Sequence, residues 1–160
     1  MLKSWAKLSP CGRYRYTLGR RWSWHGPLAC WIMLNPSTAD ARNDDNTIRR
    51  CVEFSKLWGC GGLVVVNLFA LRSTNPSWLY LSDDPVGQDN DRHILEASDR
   101  CKVRVVAWGA HGALHVRGQH VKSLLQAADP RPLQHLGLTK EGQPRHPLRL
   151  AKATPLIAWE

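Results

Sequence analysis

The distribution of apolar residues along the chain predicts a small α/β protein. Three runs are almost continuously apolar, as expected of strands covered on both faces: Leu28 to Leu34, Leu63 to Val66 and Val103 to Ala107. Pro132 to Leu138 is a weaker fourth candidate. Apolar residues at helical spacing separate these runs, and strands that alternate with helices indicate a parallel sheet with right-handed crossovers and helices on both faces.

Three of the intervening segments are predicted to be helical. The clearest has one apolar face between Ile48 and Ser55, a capping residue at one of positions 44–46 (Asp44, Asp45 or Asn46), and Gly59 at its end. Two further helices are predicted over Asn90 to Ala97 and from about His111 to Ala127. These elements predict one domain over residues 1–160, a three-layer α/β/α fold with a short, mainly parallel four-stranded sheet.

Two other segments complete the predicted architecture. Arg13 to Leu18 alternates with period two and leads through Gly19 toward the Leu28 to Leu34 strand, which predicts an edge hairpin at the N-terminus. Leu71 to Gly87 contains prolines and many short polar residues, so it is predicted to be a long loop or short irregular helix that is able to act as a lid.

Composition restricts the class of protein. The 160 residues are 43% hydrophobic and 22% charged, which is typical of one folded globular domain. No apolar run reaches membrane-spanning length, and the first residues lack the apolar segment of a signal peptide, so we expect a cytoplasmic protein with no membrane partner. The five cysteines are odd in number and form no C-x-x-C pair, so no disulfide framework, metal site or cofactor is expected.

The formal charge of +9 bears on possible partners. A basic surface favours phosphate-bearing partners such as nucleotides or nucleic acid, and exposed members of the eight tryptophans could stack on bases. Charge alone is equally compatible with an inert basic surface. The oligomeric state is not indicated by the sequence.

Candidate chemistry lies after the predicted strands, because ligands of open parallel sheets bind beyond the carboxyl ends of the strands. Each of the four runs is followed by polar or glycine-containing segments. A pocket with two carboxamides, a histidine and two cations suits a planar polar group attached to phosphate. The candidate site residues are Asn35, Ser37, Thr38, Asn67, Trp108, Gly109, His111, Lys140, Arg145 and His146.

Four short motifs occur in one order along the chain: Met33-Leu34-Asn35-Pro36-Ser37, the strand from Leu63 to Leu71 containing Asn67, Val105-Val106-Ala107-Trp108-Gly109, and His146-Pro147-Leu148. Together they resemble the uracil-DNA glycosylase superfamily, from about Leu28 to Trp159. The chain more closely resembles a bacterial and phage family known as domain of unknown function 1643, whose name implies no reaction.

The first resemblance implies a glycosylase-like fold that recognises a nucleobase, free, in a nucleotide or flipped from nucleic acid, with hydrolysis of its N-glycosidic bond as the reaction that the superfamily suggests. Asn35 would hold the attacking water and lie deep in the cleft, Asn67 would pair with the base edge, and His146 would stabilise the departing base. Lys140 and Arg145 would hold phosphate. The remaining candidates, Ser37, Thr38, Trp108, Gly109 and His111, would line the substrate site.

The chain departs from the superfamily pattern in the first and last motifs. Asn35 stands where the most active enzymes carry a carboxylate, and it is not able to act as a base. A non-catalytic module that binds a nucleotide or modified base therefore remains an alternative. A second alternative is a metal-dependent phosphohydrolase using Asp40 and Asp45, although acids before a helix, including Asp44, also serve as caps.

Overall fold

A mixed seven-stranded sheet forms the centre of the computed structural model, which describes residues 1–160. Four α-helices pack on it. The strands are β1 (Lys3–Leu8), β2 (Arg15–Arg21), β3 (Leu28–Met33), β4 (Gly62–Asn67), β5 (Val103–Val106), β6 (Leu133–His135) and β7 (Ile157–Trp159), in the spatial order β1-β2-β4-β3-β5-β6-β7. The helices are α1 (Asn46–Leu57), α2 (Ser77–Leu81), α3 (Asn90–Arg100) and α4 (Arg117–Ala128).

The four apolar segments identified from the sequence form the parallel part of the sheet. β3 pairs in parallel with β4 on one side and β5 on the other, and β6 continues in parallel from β5. Alternating side chains feed two separate core layers, because successive residues of a strand point to opposite faces. Trp31 and Val65 pack in the layer under α1, whereas Ile32 and Val66 pack in the layer under α3 and α4.

The expected four-stranded sheet is too small, since three antiparallel strands extend it at both edges. β7 pairs with β6 at one edge, and the N-terminal hairpin lies at the other. The expected hairpin between Arg13–Leu18 and Leu28–Leu34 is wrong, because β2 pairs with β1 and β4 instead. Both edges of β3 are already used by its parallel neighbours, so β3 has no free edge for β2.

A register shift in the hairpin changes the direction of one side chain. Lys7 pairs with Thr17 and Leu8 pairs with Arg15, so the register skips Tyr16 as in a β-bulge. The extra residue brings Arg15 and Leu18, three positions apart, to the same layer as Ala39. Bulges commonly redirect a side chain beside a functional site.

Local signals account for the helix boundaries. Asp45 caps α1 by accepting a hydrogen bond from the backbone N–H of Ile48 at 2.8 Å, and Gly59 follows the helix with φ +76°. The expected continuous helix from His111 to Ala127 is interrupted. A 3₁₀ segment at Ala110–Val116 precedes α4, and its last two residues, His115 and Val116, have left-handed backbone that breaks the helix.

The loop from 71 to 87 contains only the short helix α2, and most of its remaining length is irregular. No helix in the chain combines the length and apolar character needed to cross a membrane.

Candidate functional site

The carboxyl ends of the parallel strands surround a cavity of about 400 Å³ on the α1 side of the sheet. The chain passes from β3 to its parallel neighbour β4 on one side, and from β5 to its parallel neighbour β6 on the other side. The strand order therefore reverses between β3 and β5, and ligands of open α/β sheets bind at such a point. Seven of the ten candidate residues line this cavity: Asn35, Ser37, Asn67, Trp108, Gly109, His111 and His146.

Asn67 is the most deeply buried polar group of the cavity. It ends β4 with 1% of its surface exposed, and its side-chain Nδ2 has no hydrogen-bond partner. The surrounding backbone is held firmly, since Asn90 Nδ2 donates to the carbonyls of Asn67 at 2.8 Å and Leu68 at 3.0 Å. Arg117 Nε also donates to the Leu68 carbonyl, at 2.8 Å. The protein therefore positions the Asn67 amide without satisfying it.

Asn35 is held differently. Its Nδ2 donates to the carbonyl of Ser73 at 2.9 Å and to that of Pro36 at 3.2 Å. With the amide nitrogen engaged, the side-chain oxygen remains as an acceptor for a water or hydroxyl group. Asn35 is only half-buried, so Asn67 and not Asn35 lies deeper in the site, contrary to the expectation from the sequence.

His146 borders the cavity from a loop between β6 and β7. The residue is exposed to solvent at the rim, and its Nδ1 accepts a hydrogen bond from the Leu148 backbone N–H at 3.2 Å. Burial of part of the ring lowers the pKa of His146, although the nearby Asp45 carboxylate acts in the opposite direction. The neutral ring consequently carries its proton on Nε2, which makes Nε2 a hydrogen-bond donor at neutral pH.

Two hydrogen bonds from the end of β5 hold the loop that carries His146. The Gly109 N–H donates to the Pro144 carbonyl at 2.7 Å, and Trp108 Nε1 donates to Gln143 Oε1 at 2.8 Å. Gly109 adopts φ 75° and ψ −169°, a conformation essentially restricted to glycine. The residues after β5 therefore position His146.

Trp108 does not offer its ring to a ligand. The indole belongs to the core layer on the opposite side of the sheet, where it packs 5.6 Å from the ring of Trp159. Its close packing also explains Gly112, because a Cβ atom there would lie 2.0 Å from the Trp108 ring. The substrate-binding role expected for Trp108 becomes a supporting one.

His111 is exposed at the edge of the cavity. His111 Nδ1 lies 2.9 Å from the Tyr80 hydroxyl of α2, which links the end of β5 to the 71–87 loop.

Three candidates are not brought to the cavity. Thr38, Lys140 and Arg145 are exposed outside it, so the phosphate-holding role expected for Lys140 and Arg145 is not supported by their positions.

A family model described as "Protein of unknown function (DUF1643)" matches residues 15–148. The chain belongs to this family. The searches of curated proteins and of solved structures returned no match. Every residue that lines the DUF1643 cavity falls within the matched range, which begins at Arg15 and ends at Leu148.

Sequence reasoning missed several residues of the DUF1643 cavity. Arg15 lines it from β2, Asp45 and Thr47 from the start of α1, and Ser73 and Thr74 from the 71–87 loop. The sequence suggests only a capping or metal-binding role for Asp45, and no sequence pattern distinguishes an inward-facing Arg15 from the exposed Arg13. The loop suggested as a lid does border the cavity.

The aspartates before α1 have structural partners in this DUF1643 protein. Asp40 accepts hydrogen bonds from the N–H groups of Arg42 and Asn43, and Asp44 forms an ion pair with buried Arg20 at 2.9 Å. No group of three histidine, cysteine or acidic side chains is placed to bind a metal ion. Capping and loop-ordering roles account for these acids.

A second cavity of about 660 Å³ adjoins the DUF1643 site, and both cavities include Ser73 and Thr74 in their walls. It is larger, but it lies on the outer side of the 71–87 loop beside exposed Trp78 and away from the strand ends. The smaller cavity contains the unsatisfied Asn67 amide, and it is therefore the better candidate for a specific ligand site.

Proposed function

We propose that the cavity at the strand ends binds a nucleobase and that the protein hydrolyses the N-glycosidic bond of a base-bearing ligand. The observation that carries this proposal is the Asn67 amide, which is buried at the cavity with Nδ2 unpaired. A buried amide nitrogen without a partner costs about 1–3 kcal/mol, so a ligand that pairs with it recovers that free energy on binding. A carboxamide offers one donor and one acceptor in a plane, which matches the edge of a base.

The other polar groups of the cavity have positions suited to this chemistry. The Asn35 oxygen accepts a hydrogen bond from a water molecule that adds to the sugar carbon. The glycosidic bond breaks with its electron pair leaving on the base, and Nε2–H of His146 donates to the base oxygen where negative charge develops. The proton lost by the water ends on the released base.

We further propose that the fold is of the uracil-DNA glycosylase kind. Support comes from the way in which separate motifs meet. The segments ending in Asn35, Asn67 and Gly109 are neighbouring parallel strands, and the His146 loop borders the same cavity.

A non-catalytic module that binds a nucleotide or modified base is the second candidate. It is favoured by Asn35, which supplies no carboxylate to deprotonate water. The single carboxylate that lines the cavity is Asp45, and one of its oxygens already caps α1. Binding without base release is the behaviour that this second candidate predicts.

The test combines a reaction assay with binding measurements. The protein is incubated with nucleosides, nucleotides and DNA containing modified bases, and released base is detected by mass spectrometry. We expect Asn67→Ala to abolish release and weaken binding by about tenfold or more. Asn46→Ala is the matched control, because Asn46 is exposed and outside the cavity.

The outcomes separate the two candidates. Release that depends on Asn67 supports the glycosylase, whereas Asn67-dependent binding without release supports the binding module. Neither binding nor release of any base-bearing compound, or equal effects of the Asn67 and Asn46 variants, would contradict nucleobase recognition.

A further inference from the structure

Four arginines of this chain are almost completely buried, and three of them have an acidic partner. Arg20 pairs with Asp44 at 2.9 Å, Arg104 with Asp129 at 3.9 Å and Arg117 with Asp91 at 2.5 Å. The fourth, Arg15, is 3% exposed and forms no ion pair within 4.0 Å. Arginine is rarely buried without a partner, so Arg15 is the exception that requires an explanation.

The contacts of Arg15 leave part of its guanidinium unsatisfied. Nη1 donates to the Ala39 carbonyl at 2.8 Å, whereas Nε is buried and has no hydrogen-bond partner. Burial lowers the pKa of Arg15 to about 10, so the side chain still carries its charge at neutral pH. A buried charge without a counter-charge is costly, and the cost falls when an anion binds beside it.

Arg15 lies at the site and not elsewhere in the core. The residue lines the 400 Å³ cavity, and its backbone N–H donates to the Ala70 carbonyl at 2.9 Å, just beyond the end of β4 that carries Asn67. Asp45 also lines the cavity and attracts the guanidinium, but it lies beyond ion-pair distance and one of its oxygens is used by the Ile48 N–H.

We propose that Arg15 forms an anion subsite inside the cavity and that the ligand is a nucleoside monophosphate whose terminal phosphate binds there. This inference rests on the proposed nucleobase function and assigns to Arg15 the phosphate contact that Lys140 and Arg145 do not make. The planar guanidinium fork matches phosphate oxygens. A terminal phosphate is able to enter a buried subsite. An internal phosphodiester is not, because the nucleic-acid chain continues on both sides of it.

Arg15 also has a structural contact, which the experiment must separate from binding. Its bond to Ala39 resembles the contacts of Arg20, which donates to the carbonyls of Asp40 and Asn43 in the same loop. A purely structural Arg15 would affect stability and every ligand equally. An anion subsite would affect phosphorylated ligands selectively.

Isothermal titration calorimetry tests the subsite with orthophosphate, a set of nucleosides and the matching 5′-monophosphates. We expect the wild type to bind a monophosphate more tightly than its nucleoside. Arg15→Gln should reduce this preference by about 10- to 100-fold, as expected for a lost charge-assisted hydrogen bond, and Arg15→Lys should retain part of it. Arg13→Gln removes the same charge from an exposed position outside the cavity and should retain the preference.

An unchanged phosphate preference in Arg15→Gln would overturn the inference, as would an equal loss in Arg13→Gln. If Arg15→Gln does not fold, thermal unfolding of the wild type decides. Stronger stabilisation by the monophosphate than by the nucleoside, with partial loss in Arg15→Lys, supports the subsite, and equal stabilisation contradicts it. Asn67→Ala separates the two proposals, because it should weaken nucleoside binding and leave orthophosphate binding intact.

Discussion

Replacement of Asn67 by leucine should make the unliganded protein more stable. In the native state the Asn67 amide is buried and its Nδ2 is unpaired. Leucine has the same branched shape and the same number of side-chain heavy atoms without a polar group, and apolar side chains of Met33, Ile48 and Val65 line the cavity around this position. The substitution therefore removes an unsatisfied group without leaving a large void.

The expected gain is about 1–3 kcal/mol in the free energy of unfolding, which is the usual cost of a buried unpaired polar group. For a chain of this size each kcal/mol raises Tm by about 2–4 °C. Urea unfolding followed by circular dichroism gives the free energy, and an unchanged m-value shows that the midpoint shift reflects stability. The same variant should lose binding of base-bearing ligands.

Asn90→Leu is the matched control for this prediction. Asn90 is equally buried, but its Nδ2 donates to the carbonyls of Asn67 and Leu68. Its replacement removes both hydrogen bonds, although the Leu68 carbonyl keeps its bond from Arg117 Nε, and should destabilise the protein by about 1–3 kcal/mol. A loss of stability in Asn67→Leu as large as that in Asn90→Leu would refute the reasoning, since it would mean that the Asn67 amide makes stabilising contacts in the free protein.

Gly109→Ala should destabilise the fold by about 1–3 kcal/mol in urea unfolding because of its φ of 75°, and an unchanged midpoint would contradict the assigned strain. Burial lowers the pKa values of His93, His135 and His146 below 6.5, so the free energy of unfolding should be complete above pH 6.5 and decrease as the pH falls from there toward the folded pKa values, whereas equal urea midpoints at pH 7.5 and 5.5 would argue against this. Under native conditions only the exposed thiol, Cys11, should react rapidly with a thiol reagent, and all five should react after denaturation without reductant; a total below five would disagree with reduced cysteines.

The parallel strands were predictable because their residues are apolar on both faces, a pattern that solvent-exposed strands do not show. The strands at the two edges of the sheet were not predictable. β1 is mostly exposed and β7 has only three residues, and their sequences carry little periodicity. The pairing of β2 with β4 depends on which strand edges remain free, and this follows from the assembled sheet and not from local sequence.

The residues of the candidate site were likewise predictable only in part. Asn35, Asn67 and Gly109 directly follow or end apolar runs, so the rule for parallel sheets places them together. Arg15 enters the cavity through a register shift, and Trp108 turns its ring to the opposite core layer. Side-chain direction at a bulge or a strand end depends on tertiary packing, which no spacing rule encodes.

The N-terminal hairpin has a consequence for any attempt to shorten or transplant this site. A fragment beginning at β3 would carry all four of the motifs that suggested a function, from Asn35 to His146. It would nevertheless leave the β4 edge open to pairing with other chains, and it would lack the cation that lines the cavity. Such a fragment would look complete to a motif search and would be incomplete as a receptor, because β2 both closes the sheet and supplies Arg15.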